Sequence, residues 1–187
     1  MLNEDEKKFL LGIARKSISH YLEKGTRLEV KPSEVESKKL IEEGACFVSL
    51  HIGQNLRGCI GSLEAQAPLI FDVMDNAVNA AVNDPRFYAL TVPELEKVKI
   101  SISVLTKPVP FPVKGPADLL KKLIPGKHGL ILKRGCNSAT FLPVVWEQIP
   151  DKEEFLAQLS VKAGLPPDGW KSHNINYQVY EAEEFSE

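Results

Sequence analysis

The sequence is poor in the features that announce a function. It has only three cysteines in 187 residues, Cys46, Cys59 and Cys136, with no Cys-x-x-Cys spacing. That argues against a disulfide framework and against a thiolate zinc site. No apolar run approaches the eighteen or so residues needed to span a bilayer, and the polar, acidic start Met1-Leu2-Asn3-Glu4-Asp5-Glu6 is unlike a secretory or transit segment. These absences predict a cytoplasmic, reducing setting with reduced thiols and no membrane partner. Net charge is only −2, so no global field draws in nucleic acid. There is no GxxxxGKS/T loop, no GxGxxG turn, no metal-ligand spacing among His, Cys, Asp and Glu, and no internal repeat. No cofactor and no metal are expected on that basis.

What is present is ordinary in bulk and uneven in detail. Hydrophobic residues make up 43% and charged residues 26%, the balance of a soluble globular chain long enough to bury a core. Residues 107–134 hold seven cations (Lys107, Lys114, Lys121, Lys122, Lys127, Lys133, Arg134) against Asp118 alone, whereas residues 135–187 hold three lysines against nine acids. A basic middle suits a phosphate or an acidic partner, and equally a set of solvated lysines.

The periodicity predicts an α+β fold, mainly antiparallel sheet flanked by helices. Leu10, Ile13, Ala14, Ile18, Tyr21 and Leu22 form the apolar stripe of a helix over 4–24, stopped by Gly25. Ser33 to Glu36 reads as a capping box for a short second helix. Strands are expected over 46–52 and 56–60, a helix over 67–82, and a strand over 98–105. Paired strands at 129–133 and 139–142, a helix over 151–163 and a closing strand over 175–180 follow. The prolines of Lys107-Pro108-Val109-Pro110-Phe111-Pro112 mark a passage within the chain. The 187 residues are read as one domain with a smaller subdomain at about 84–135.

The most specific stretch is Leu56-Arg57-Gly58-Cys59-Ile60-Gly61. With a three-residue turn at 53–55, Ile52 pairs with Leu56, His51 with Arg57 and Ser49 with Cys59. Leu50, Ile52, Leu56 and Ile60 then share the core face, and Ser49, His51, Arg57 and Cys59 share the other. A two-residue turn would reverse the parity and spoil this segregation. The polar face suits a nucleophilic Cys59, with Arg57 favouring the thiolate and His51 accepting the proton. Ser49 and the amides of Gly58 and Gly61 would be polar neighbours for an anion. The glycines also leave room for a ligand or another backbone to come close. Asp84-Pro85-Arg86-Phe87 is a second candidate, a turn whose aspartate and arginine can clamp a polar ligand. Cysteine is equally at home as a small core residue, so catalysis, binding and packing all stay open for this strand.

The hexapeptide LRGCIG resembles the signature of AMMECR1-domain proteins. So, in the same order, do Asn83-Asp84-Pro85-Arg86-Phe87, Thr91 to Leu95, Ser101 to Leu105, His128-Gly129-Leu130, Phe141-Leu142-Pro143 and Lys162-Ala163-Gly164-Leu165. The resemblance runs from about Glu4 to Phe185. It implies a larger α+β part with a smaller subdomain. It also implies a role in a partnered system, beside a Memo-like protein and a radical SAM protein, with no settled reaction. Relatives often follow Phe-Leu-Pro with glutamine and a valine-alanine pair, where this chain has Val144-Val145-Trp146. Two readings result: an enzyme or accessory component with a polar cleft around Arg57 and Cys59, or a non-enzymatic module that holds a protein or RNA with the same strand and residues 107–134.

Overall fold

The structure, a computed structural model, describes all residues 1–187. In chain order the elements are α1 (Glu4–Lys24), β1 (Glu43–Ile52), β2 (Asn55–Gly61), β3 (Ala67–Pro68), α2 (Leu69–Val82), α3 (Val92–Leu95) and β4 (Val98–Leu105). They continue with β5 (Val109–Pro110), α4 (Pro116–Lys122), β6 (Gly129–Arg134), β7 (Asn137–Phe141), α5 (Lys152–Lys162), β8 (Asn176–Tyr180) and β9 (Ala182–Ser186). Helices and two antiparallel sheets without βαβ alternation make this an α+β fold.

Packing divides the chain into two units, Met1–Leu105 with Glu183–Glu187, and Thr106–Ala182. The smaller part expected at 84–135 straddles this division. Residues 84–105 stay with the first unit because Leu90, Leu95, Val98, Ile100 and Ile102 are buried in its core. The proline-rich passage at 107–112 falls at the start of the second unit.

In the first unit the strand order is β2-β1-β4-β9, with β3 paired to the start of β1. Cys46, Val48 and Leu50 of β1 and Ile100 and Ile102 of β4 are fully buried, with Ile70, Val73 and Ala77 of α2 and Leu10, Ala14 and Ile18 of α1. Helix α1 starts where its sequence says it should. Asn3 Oδ1 accepts from the Glu6 amide at 2.8 Å, and the Glu6 carboxylate accepts from the Asn3 amide at 2.7 Å. Gly25, at φ 72°, ends it. A methyl group added at Gly12, inside this helix, meets nothing within 4 Å. Gly12→Ala should therefore stabilise the protein by about 1 kcal/mol in urea denaturation, the helix-propensity difference alone.

The expected second helix does not form. Residues 32–34 and 38–41 are separate 3-10 turns. Glu34, not Glu36, reaches back to its turn's start at Lys31, and Pro32 sits where the Ser33 box would need helical entry. Strand β9 was not expected either. Its Ala-Glu-Glu-Phe-Ser sequence carries little apolar alternation, as suits a strand at the sheet's edge.

The second unit orders its sheet β5-β8-β6-β7. Leu119 and Leu123 beside α4, Leu130 and Leu132 of β6 and Phe155, Leu156 and Leu159 of α5 form its core. Trp146 stacks on Phe155 at 3.6 Å between ring centres and donates its indole N–H to the His128 carbonyl at 2.8 Å.

Candidate functional site

The β1–β2 hairpin reaches part of the expected side-chain segregation, by an unexpected route. The turn is the two residues Gly53-Gln54, with Gly53 at φ 60°, so Ile52 pairs with Asn55 and His51 with Leu56. Two-residue turns of this kind follow the natural twist of paired strands. Left uncorrected, that register would set Arg57 opposite Leu50 in the core. A β-bulge between Leu50 and His51 takes up Arg57 as the extra residue, so Leu50 pairs with Gly58, Ser49 with Cys59 and Val48 with Ile60. Thus the Ser49–Cys59 pair forms as expected and the His51–Arg57 pair does not. Leu56, expected in the core, lies opposite His51 and is exposed, while Ile60 packs against the core.

Arg57 is consequently free of the ladder and turns to α3. Its Nε donates to Glu94 at 3.1 Å and its Nη1 to the Tyr88 carbonyl at 2.9 Å. Arg57, helped by the Thr91 backbone and hydroxyl, pulls the Glu94 carboxyl down to about 2. Glu94 also caps the start of α3, where its carboxylate accepts from the Thr91 amide at 2.9 Å and the Thr91 hydroxyl at 2.8 Å. His51 stays on the polar face with Lys99 of β4 as its cross-strand neighbour, and its ring makes no hydrogen bond. Arg57 is thus committed to Glu94 and the Tyr88 carbonyl, and His51 is paired with Leu56 instead of Arg57.

Cys59 instead belongs to a cluster with Ser49, Asp84 and Arg86. Ser49 Oγ donates to Cys59 Sγ at 3.1 Å. On the outer edge of β2, Asp84 Oδ2 accepts from the Cys59 amide at 2.8 Å, and Arg86 Nη2 donates to the Cys59 carbonyl at 3.3 Å. One Asp-Pro-Arg turn thereby satisfies both outward backbone groups of an edge residue, a task otherwise met by another strand. Asp84 also accepts from Arg86 Nη2 at 2.7 Å, Arg86 Nε at 3.0 Å and the Arg86 amide at 3.1 Å. The Arg86 guanidinium, with these backbone donors, holds the Asp84 carboxyl well below the usual carboxylate range against the cost of its burial.

Cross-strand pairing places Cys59, Ser49 and Ser101 in one row over β2, β1 and β4, with side chains on the face opposite the core. Phe47 and Ser103 flank the row on one side, His51 and Lys99 on the other. The cysteine is half-buried. This face offers a thiol, hydroxyls and a histidine, a set suited to nucleophilic chemistry or to hydrogen-bonding a polar ligand. Nowhere do three or more His, Cys, Asp or Glu side chains converge as a metal would need.

The two glycines were expected to leave room for a ligand or another backbone, and at Gly58 the occupant is a backbone. A Cβ at Gly58 would lie 2.0 Å from the Ala80 carbonyl oxygen of α2, and one at Gly61 would lie 2.2 Å from the Phe47 ring. Their bareness admits another backbone and a packed ring. A second polar knot, missed in the sequence, ties α2 to the hairpin. Asp72 accepts from the Cys46 amide at 2.8 Å and the Ser62 hydroxyl at 2.7 Å, and Asn76 donates to the Cys46 carbonyl at 3.3 Å. Burial, then the nearby Asp72, pushes the Cys46 thiol well up, which marks it as a packed thiol rather than a reactive one.

Comparison with known proteins follows the whole length of the chain. The AMMECR1 family model matches residues 11–185. Protein MK0488 of Methanopyrus kandleri is 41% identical, covering 100% of this chain and 90% of its own. Protein MJ0810 of Methanocaldococcus jannaschii is 36% identical over 100% of this chain and 92% of its own. The crystal structure of the uncharacterised protein PH0010 from Pyrococcus horikoshii superposes with a TM-score of 0.92 at 33% identity, covering 100% of this chain and 93% of that one. With the LRGCIG strand, the Asp-Pro-Arg turn and the two-unit α+β fold, these matches establish that the chain belongs to the AMMECR1 family.

Proposed function

We propose that this protein is an enzyme component that uses Cys59 as its reacting group, within a cytoplasmic pathway that includes a Memo-like protein and a radical SAM protein. The observation that carries the reading is the Ser49 hydroxyl on the Cys59 sulfur, at 3.1 Å, on a polar sheet face. A donor beside a sulfur supports negative charge on it, and the Asp84–Arg86 clamp holds the residue's backbone still. In the step envisaged, the thiolate sulfur attacks an electrophilic carbon of the substrate. A carbon–sulfur bond forms, the leaving group departs with its electron pair, and the thiol proton has already passed to water.

The alternative, a non-enzymatic module that grips a protein or RNA through residues 107–134, draws less support. Lys122 is spent on Asp118 at 2.9 Å and the Pro112 carbonyl at 2.8 Å, and Lys127 lies 3.2 Å from Glu181. A strongly salt-dependent RNA affinity would speak for that module.

Native-state alkylation with iodoacetamide, read by peptide mass mapping, tests the thiol reading. Exposed Cys136 and half-buried Cys59 should label on the folded protein, and buried Cys46 only on unfolding. Ser49→Ala should slow labelling of Cys59 by about fivefold, the worth of one hydrogen bond of about 1 kcal/mol, and leave Cys136 unchanged. Labelling of Cys59 only in step with Cys46 would overturn the reading.

A further inference from the structure

Arg86 is arranged to do more than hold Asp84. Its Nε and Nη2 are used on Asp84 and on the Cys59 carbonyl, while Nη1 makes no hydrogen bond. The Asp84 side chain is 2% exposed and the Arg86 side chain 55%. The pair thus turns its negative end into the protein and its positive edge outward. Phe87 packs beside the guanidinium, 5.4 Å from ring centre to Cζ, and limits its orientation. Arg86 is held in its charged form foremost by its hydrogen bonds to Asp84.

The polar face beyond it has a matching character. Between Phe47 and His51 of β1, and from Lys99 to Ser103 of β4, the residues sharing the face with Cys59 are Phe47, Ser49, His51, Lys99, Ser101 and Ser103. None of these is a carboxylate. A ligand approaching the sulfur over this face meets hydroxyl donors and Lys99, and the one acid of the cluster, Asp84, is buried behind Arg86.

We propose that the substrate of the Cys59 site is an anionic electrophile, whose carboxylate or phosphate is received by the outward N–H groups of Arg86 next to the reacting carbon. This rests on the thiol reading given above and adds the substrate's charge to it. A guanidinium fixed through Nε and Nη2, with its Nη1 hydrogens unused, is a preorganised charged donor for one oxygen of a carboxylate or phosphate. In this role Arg86 binds substrate and Asp84 positions Arg86.

Two alkylating probes of near-equal size and opposite character test it: iodoacetate, which is anionic, and iodoacetamide, which is neutral. With either, the Cys59 sulfur forms a bond to the methylene carbon, iodide leaves with the bonding electrons, and the proton goes to solvent. The quantity measured is the iodoacetate-to-iodoacetamide rate ratio at Cys59 in the folded protein, divided by the ratio for the same residue in urea-unfolded protein at equal salt. Folding should raise the ratio roughly threefold or more at low ionic strength, the scale of one nearby cation, and about 0.5 M NaCl should remove most of the gain. Arg86→Gln should abolish the preference, and because the ratio is taken within one protein, any change in thiolate fraction common to both reagents cancels; Arg86→Lys should keep part of it. If Arg86→Gln fails to fold, the salt dependence of the parent decides: a ratio that falls with salt supports the proposal and a flat one overturns it. Labelling by iodoacetamide with no preference for iodoacetate overturns the anion site alone. Labelling of folded Cys59 by neither reagent overturns the thiol reading and the anion site together.

Discussion

A Gly58→Ala chain is expected to lose about 3 kcal/mol of stability, the upper end of what a single added methyl group costs in a packed interior. The added carbon would stand 2.0 Å from the Ala80 carbonyl oxygen and 3.0 Å from its carbon. Both obstacles are helix backbone, which cannot rotate aside as a side chain can. Relief requires α2 to rise off the sheet, and that parts Ala77, Ala80 and Ala81 from the strands they touch. The lost contacts add to the cost. Urea titration of the variant beside the parent reads the effect. A change under about 1 kcal/mol would mean that helix and strand are not in the close contact described. Gly12→Ala is the internal contrast, since the same methyl group there enters open space.

Asp84→Asn should cost a similar amount, about 3 kcal/mol, for an electrostatic reason. Four donors converge on the two Asp84 oxygens: the Cys59 amide, the Arg86 amide, and Nε and Nη2 of Arg86. An amide keeps one oxygen and turns an N–H2 group against the remaining donors, inside a site where the side chain is 2% exposed. The loss should depend on pH in a fixed direction. Because the folded protein depresses the Asp84 carboxyl below its ordinary value of 3.8, the unfolded chain binds more protons in acid. The stabilisation is therefore complete above the unfolded value and drains away as pH falls from about 4 through the folded one. Parent and Asp84→Asn stabilities should converge in that window and run parallel at neutral pH. Glu94, drawn from 4.5 to about 2, acts in the same direction. Its carboxylate is more exposed than that of Asp84, 35% against 2%, so its share of the acid limb is smaller. Equal separation of parent and variant at pH 3 and pH 7 would sink the account.

The sequence disclosed the fold wherever one residue type settles a local choice. The spacing of Leu10, Ile13, Ala14 and Ile18 marks α1 and Gly25 stops it; Val98, Ile100 and Ile102 alternate through β4. It disclosed less where two short-range rules compete. Burial demanded that Arg57 avoid the core, and the turn preferred two residues over three. Satisfying both takes a bulge, which costs one unpaired residue and leaves no mark in hydrophobic alternation. The arginine set aside by that bulge then found Glu94, a partner thirty-seven positions away, and such pairs follow from three-dimensional proximity alone. Ser49, Cys59, Asp84 and Arg86 were each visible as candidates. Their union was not, because the bonds joining the turn to the strand run to the strand's backbone, where the amino-acid sequence leaves no signature.

The chain leaves the first unit at Leu105 and returns at Glu183, and β9 pairs with β4 only after that return. The Thr106 amide donates to the Glu181 carbonyl and the Glu181 amide donates to the Thr106 hydroxyl oxygen, both at 2.9 Å. The intervening segment therefore begins and finishes at one doorway. During synthesis β4 emerges well before its neighbour β9, and its edge must wait, unpaired, while the ribosome makes everything up to residue 182. That interval is when the nascent chain is most open to mispairing, and when a holding chaperone would have the most to offer it.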